Sequence, residues 1–484
     1  MATAFTCNLA ASGSPLPHVW SHTAGSGRAL LALRADWQAH MRKAHAELGL
    51  CYVRFHGLLN DEMGTYLIEC GEDVYSFFNA DQIFDFLVSI GMKPFVELSF
   101  MPTALQTGGD TVFFYRANVT PPRDYAKWAG LVARLVKHWI VRYGLDEVRS
   151  WYFEVWNEPD LEAFWKGSKD DYFKLYRYTA NAIKDIDAQL RVGGPATAND
   201  EWIPGFLEFC EVEKVPADFI STHHYPTDSL GKPGDDTETQ LSDAPRDVLI
   251  QRVRDMRRTV GDRTLCYTEW NSSSNPFFEF HDEPYAAAFL FKNMLDVADL
   301  VHCYSWWTFS DIFEENYFSS KPFHGGFGLV TIHGIPKPSY RAMQLLHALG
   351  NERLPVEGAH PTVDAWVVRR NANHVDLLLT NHAFPRHEIA TESITWHVQG
   401  SRKPASASLL RIDEDNGNSR QAWLDMGSPD YLDASQVAAI EQSSALRASR
   451  VPISARDGGF DIEISLPPHA IAAVRVELAR GASA

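Results

Sequence analysis

The chain has 484 residues, 45% hydrophobic and 22% charged, enough for two domains of which one is a single large barrel. Its formal net charge of −18 has the wrong sign for a phosphate backbone and argues against a nucleic-acid partner. No apolar stretch reaches membrane-spanning length, and the opening MATAFTCNLAASGSPLP lacks the basic and continuous apolar regions of a secretory signal, so a cytoplasmic protein without a membrane partner is expected. The six cysteines occur singly. Cys51, Cys266 and Cys303 lie in apolar strand-like runs and read as small buried hydrophobes, with neither a disulfide frame nor a metal site.

From about residue 16 to 345, short apolar runs alternate with longer amphipathic ones. A first strand is expected near PHVWSHTA (17–24), followed by CYVRFHGLL (51–59), KPFVELSF (93–100), WYFEVWNE (151–158), LRVGGPAT (190–197), DFISTHHYP (218–226), TLCYTEWN (264–271) and HCYSWWTF (302–309). These runs are rich in β-branched and aromatic residues. Helical periodicity falls between them, for example in RADWQAHMRKAHAELG and EPYAAAFLFKNMLDVAD, and several of these segments close on Gly. Eight β/α pairs of this length predict an α/β fold, a (β/α)8 TIM barrel. A doubly wound sheet is the structural rival, but no glycine-rich dinucleotide fingerprint follows an early strand, and no cofactor is expected.

After SYRAMQLLHALG the texture changes. AWVVRR, HVDLLLTNH, ESITWHVQG, ASASLLRI, FDIEISLP and AIAAVRVEL, separated by polar turns, predict a C-terminal β-sandwich accessory domain over 346–484. An Asp/Asn/Ser-rich loop and a short helix around SQVAAIEQSSAL interrupt it.

In such a barrel the active site lies where strand C-termini meet the βα loops. Those ends collect Arg54 and His56, Glu97, Asn157 and Glu158, His223 to Tyr225, Glu269, and Trp306 with Trp307. A carboxylate ending a buried strand is costly unless it does chemistry, and Glu158 and Glu269 end strands four and seven, which can face each other across the mouth. Two carboxylates among aromatic rings are the minimal equipment for glycoside hydrolysis: one protonated to serve the leaving oxygen, one ionised to attack the anomeric carbon or activate water. Asn157 and nearby aromatics are expected to raise one carboxyl, and Tyr225 and the imidazoles to lower the other. His223 and His224 point to opposite faces of a strand and do not make a metal pair. By the same alternation only one of Trp306 and Trp307 enters the mouth. Glu97 reads as structural, and Glu314–Glu315 as two acids on the catalytic rim.

EVWNEPDL with YTEWN, STHHYPTD, the early SHTAGSGRALL and RFHG, TVFFYRANVTPP, and WWTFSDIFEE together resemble glycoside hydrolase family 39, in particular its bacterial β-xylosidases. WNEP by itself is shared by many retaining glycosidases, whereas the ordered set is more specific. The resemblance implies a retaining mechanism through a covalent xylosyl-enzyme, with Glu158 as general acid/base, Glu269 as nucleophile and carboxyls about 5–5.5 Å apart. It also implies that Asn157 bonds the sugar 2-hydroxyl. His56, His223, Tyr225, Glu314 and Glu315 would surround the glycone, Trp307 would wall it and Phe164 would face the leaving group, with Phe114 a weaker match. The family's fold brings residues 1–15 to the sandwich. The expected substrate is a short xylo-oligosaccharide, cleaved from its non-reducing end. An α-L-iduronidase would need a cation for the uronate, and the rim motifs offer only Arg54 and Lys321. An α-L-arabinosidase, an endo-xylanase and a non-catalytic sugar-binding barrel compete with the xylosidase reading, the last of them disfavoured because binding needs no acid–nucleophile pair. With no helix after AIAAVRVEL to dock on a neighbour, a monomer is expected.

Overall fold

The computed structural model describes residues 3–227, 236–400 and 402–479. Eight parallel strands close into a barrel in chain order: β1 (Thr23–Arg28), β2 (Tyr52–His56), β3 (Lys93–Leu98), β4 (Tyr152–Val155), β5 (Arg191–Thr197), β6 (Phe219–His224), β7 (Leu265–Trp270) and β8 (Cys303–Trp306). A helix follows each strand, from Ala35–Leu48 after β1 to Pro338–His347 after β8. The longest, Tyr125–Tyr143, is started by Asp124, whose side chain accepts from two free N–H groups of the first turn. It buries Trp128, Leu131, Val132, Leu135, Val136 and Trp139 at helical spacing. Ser168 and Asp171 form a capping box on Lys169–Lys184.

The first strand lies later than expected, in TAGSGR, and Val19–Ser21 is instead a 3-10 turn. A strand of small residues has no apolar signature, and the packing explains its composition. A Cβ on Gly25 would come within 2.6 Å of the Trp307 ring, and one on Gly27 within 3.0 Å of Phe313. Strand β4 also ends earlier than expected, at Val155. Trp156 and Glu158 lie beyond it with φ of +73° and +43°, so the key carboxylate stands on a strained turn and not in the strand.

The barrel interior is layered. Phe95, Tyr152, Phe219, Cys266 and Cys303 plug the bottom. Above them Arg54, Glu97, Glu154 and Thr268 form a buried polar layer, and the mouth of the barrel opens above that. All six cysteines are free, and Cys51, expected to be buried, is exposed because it precedes β2.

Two short hairpins, Tyr66–Glu69 with Glu72–Tyr75 and Thr111–Val112 with Ala117–Asn118, lie in the barrel loops, and the other strands form two sheets. In one, Thr3–Asn8 runs parallel to Glu392–Gln399, which pairs with Gly459–Leu466. In the other, Val363–Asn371, His374–Asn381, Ile471–Leu478 and Pro404–Ile412 follow in antiparallel order. Phe5, Trp396, Ile462, Val367, Leu377 and Val474 meet in the core between them, a β-sandwich. It docks on the barrel through Phe291 against Trp366 and through Arg246, which bonds Asp364 and the Thr362 and His382 carbonyls. Helix Pro284–Val297 lies at this junction and is buried on nearly every face. No helix among the described residues is long and apolar enough to cross a membrane.

Candidate active site

The cleft at the C-terminal ends of the strands is lined by His56, Asn157, Glu158, Phe164, Tyr225, Glu269, Trp307 and Glu315, with Leu161, Ala198, Asn199 and Phe327 among the other residues of its walls. Arg54, 0% exposed, organises the floor. Its guanidinium pairs with Glu154 at 2.5 Å and Glu97 at 2.9 Å, donates to Asn157 Oδ1 at 2.9 Å, and reaches Glu269 Oε2 at 3.5 Å. The Asn157 amide is thereby oriented, its oxygen occupied and its NH2 left to donate into the cleft. Arg54→Leu should cost about 3–5 kcal/mol in urea unfolding because it strands Glu97 and Glu154 as buried charges. A loss no larger than that of Arg142→Leu, a half-exposed pair with Asp85, would show that the floor does not depend on Arg54.

The two key carboxylates differ in their donors. Glu269 Oε1 accepts from the Tyr225 hydroxyl at 2.6 Å, and its other oxygen faces Arg54. Glu158 faces His223, whose Nδ1 lies 2.9 Å from Glu158 Oε1 and 3.7 Å from Glu269 Oε2. One oxygen of each carboxylate lies within 4.8 Å of the other. Burial pushes Glu158 up to about 7, against the positive charge of His56 and Arg54. Burial and the charge of Glu158 also raise Glu269, opposed by His223 and Arg54. With one proton to share, the better-donated Glu269 keeps the charge and Glu158 keeps the proton. As the sequence reading expects, the imidazoles work against the rise of Glu269, and His223 addresses Glu158 as well. Burial pulls His223 down to about 4, so it is neutral and serves Glu158. His56 is bonded at 2.8 Å to Glu97, whose charge raises it in spite of burial.

A β-bulge explains how Glu269 reaches the cleft. Thr268 faces inward, bonding Glu154 at 2.8 Å, so strict alternation would turn its successor outward. The β6–β7 register shifts here, with Thr222 opposite Tyr267 and His223 opposite Glu269, and both Thr268 and Glu269 address the interior. His224 does point away, with Nε2 2.7 Å from the Tyr304 hydroxyl. Trp307 enters the cleft, its ring 4.8 Å from His56, while Trp306 packs on Trp270.

Glu314 and Glu315 separate. Glu315 faces the cleft, 4.0 Å from His56, and burial together with Glu269 and Glu158 pushes it up to about 8. Glu314, expected beside the glycone, is turned to Arg28 and Arg34 and is not among the lining residues. It holds the loop rather than the sugar. Phe164 lines the cleft, whereas Phe114 is 44% exposed and packs on Phe318. Sequence reasoning missed Glu154, Thr268 and Asp160. Glu154 carries the same signal as Glu158, an acid in an aromatic strand, two residues from Tyr152 on the same face. Asp160 Oδ1 accepts from Ala198 N–H at 3.0 Å and ties the Glu158 turn to the end of the neighbouring strand β5. Among the described residues, Glu158, His223 and Glu269 are also the grouping that could hold a metal ion. A cation there would keep Glu158 unprotonated and fill the space between the carboxylates.

The chain matches the model of Glycosyl hydrolases family 39 over residues 6–459. It is 47% identical over 464 residues to a β-xylosidase of Caldicellulosiruptor saccharolyticus, with 95% of each chain covered. To a β-xylosidase of Geobacillus stearothermophilus it is 36% identical over 476 residues, covering 95% of this chain and 93% of the relative. Its structure superimposes on that of a monomeric β-xylosidase from Caulobacter crescentus CB15 with a TM-score of 0.84 at 31% identity, covering 98% and 99% of the two chains.

Proposed function

The chain belongs to glycosyl hydrolase family 39, and on that premise we propose that it is a retaining, exo-acting β-D-xylosidase that releases xylose from the non-reducing end of short xylo-oligosaccharides. The observation that carries the mechanism is the pair of unequal carboxylates within 4.8 Å, closer than the 6.5–9.5 Å or so that leaves room for a water in inverting enzymes. In the first step Glu269 attacks the anomeric carbon and Glu158 delivers its proton to the departing oxygen. In the second, Glu158 takes a proton from water as the water displaces Glu269. Asn157 donates to the 2-hydroxyl, a bond that strengthens as charge develops at the ring. His56, Tyr225, Trp307 and Glu315 bind the glycone, His223 acts through Glu158, and Phe164 meets the leaving group.

None of the described residues lining the cleft is Lys or Arg, which favours a neutral pentose over a uronic acid. We assign the chemistry to the barrel, through about residue 345, and an accessory role to the sandwich. A monomer is the assembly proposed, as the similar Caulobacter crescentus CB15 protein is a monomeric β-xylosidase.

A panel of aryl glycosides tests the substrate. The β-D-xyloside should be the best substrate, the α-L-arabinoside slower, and the α-L-iduronide inert. Proton NMR should show β-xylose as the first product. Release from the iduronide but not the xyloside would overturn the assignment.

A further inference from the structure

One set of contacts is left over once the two carboxylates have their roles. A chain of hydrogen bonds runs from the barrel floor to the acid/base. The Glu154 carboxylate, paired with Arg54, accepts from the Thr268 hydroxyl at 2.8 Å. Thr268 Oγ1 lies 3.1 Å from His223 Nε2, and His223 Nδ1 lies 2.9 Å from Glu158 Oε1. Glu154, Thr268 and His223 are fully buried, so no solvent substitutes for a missing partner.

The direction of each bond follows from the first. A carboxylate only accepts, so the one hydroxyl proton of Thr268 is committed to Glu154. The lone pairs of Thr268 are what remain for His223, and Nε2 must carry the ring proton to use them. Burial keeps the imidazole neutral, so the other nitrogen is bare. A bare Nδ1 against Glu158 can only accept, and it accepts from the carboxyl O–H.

We propose that Thr268, held by Glu154, fixes the tautomer of His223 so that Nδ1 accepts the Glu158 proton and keeps the general acid loaded until the leaving group arrives. Thr268 is thus a positioning residue, acting through His223. The inference rests on the assignment of Glu158 as acid/base. Other charges also face the pair: Arg54 and His56 from β2, Glu97 from β3, Asp160 beyond β4, Glu269 from β7 and Glu315 beyond β8. The experiment therefore changes only the hydroxyl.

Thr268→Val is nearly isosteric and removes the hydroxyl. It frees the imidazole to place its proton on Nδ1 and donate to an ionised Glu158, which favours the charged form. The basic limb of kcat/KM on an alkyl β-xyloside should move down by about one pH unit, while Thr268→Ser should leave it in place. Nitrogen-15 NMR of the imidazole should show the His223 proton on Nε2 in the native enzyme and on Nδ1 in the Val variant. A native enzyme with the proton on Nδ1 overturns the proposal without any variant, as does a Ser variant that shifts like Val or a Val variant that shifts neither limb nor tautomer. Glu158→Ala separates the two readings: a basic limb that persists there removes Glu158 as the acid, whatever the tautomer.

Discussion

Glu269→Gly should lower hydrolysis of an aryl β-D-xyloside by about 10⁵-fold or more, the scale on which loss of a covalent nucleophile is felt. Added azide should restore turnover and yield the α-configured xylosyl azide. Glycine leaves a hole where the carboxylate stood, bounded by the Tyr225 hydroxyl that donates to Glu269 at 2.6 Å and by Arg54. A small anion entering it attacks the anomeric carbon from the nucleophile's side. The product is a single displacement with inverted configuration, and no carboxylate remains to displace it again. The anomeric coupling constant of the isolated azide reads the outcome. An intact fold with no rescue would move the nucleophile elsewhere. Glu315 is a poor substitute, since burial, the largest cause of its rise to about 8 in the native enzyme, still disfavours its charged form in the variant.

Glu158→Ala should reduce kcat/KM for an alkyl xyloside or xylobiose by about 10²–10⁴-fold, the usual worth of general acid catalysis. The first step on a dinitrophenyl xyloside should change little, because that leaving group departs without a proton. The same variant tests pH. Burial holds Glu158 up at about 7. Below that value the free enzyme carries the proton, and above it kcat/KM for poor leaving groups falls as the acid is lost. The basic limb should accordingly sit near pH 7 in the native enzyme and vanish in the Ala variant. Equal losses on good and poor leaving groups would count against an acid/base role.

Much of this site is legible in one dimension because each barrel strand delivers its residues to the same rim. Glu158 and Glu269 stand out as acids terminating aromatic strands, and the Asn before one and Trp after the other mark the same rim. The roles of their neighbours are less legible. Glu314 and Glu315 are adjacent and chemically identical, yet two arginines, Arg28 and Arg34, claim one and the cleft takes the other. Both arginines are distant in sequence. The first strand escapes detection because its small residues answer to Trp307 and Phe313, nearly three hundred positions away.

The sequence by itself determines the architecture and the family and singles out the proposed catalytic pair, because hydrophobic periodicity, strand-end carboxylates and motif order are local properties. The motif resemblance assigns the proton to Glu158, but only the tertiary structure supplies the physical reason. That depends on Tyr225 and Arg54 meeting Glu269, on a neutral His223 meeting Glu158, and on a one-residue bulge at Thr268 that brings Glu269 inward. These are contacts between different strands, and the free energy of ionising a buried group is set by what surrounds it in space.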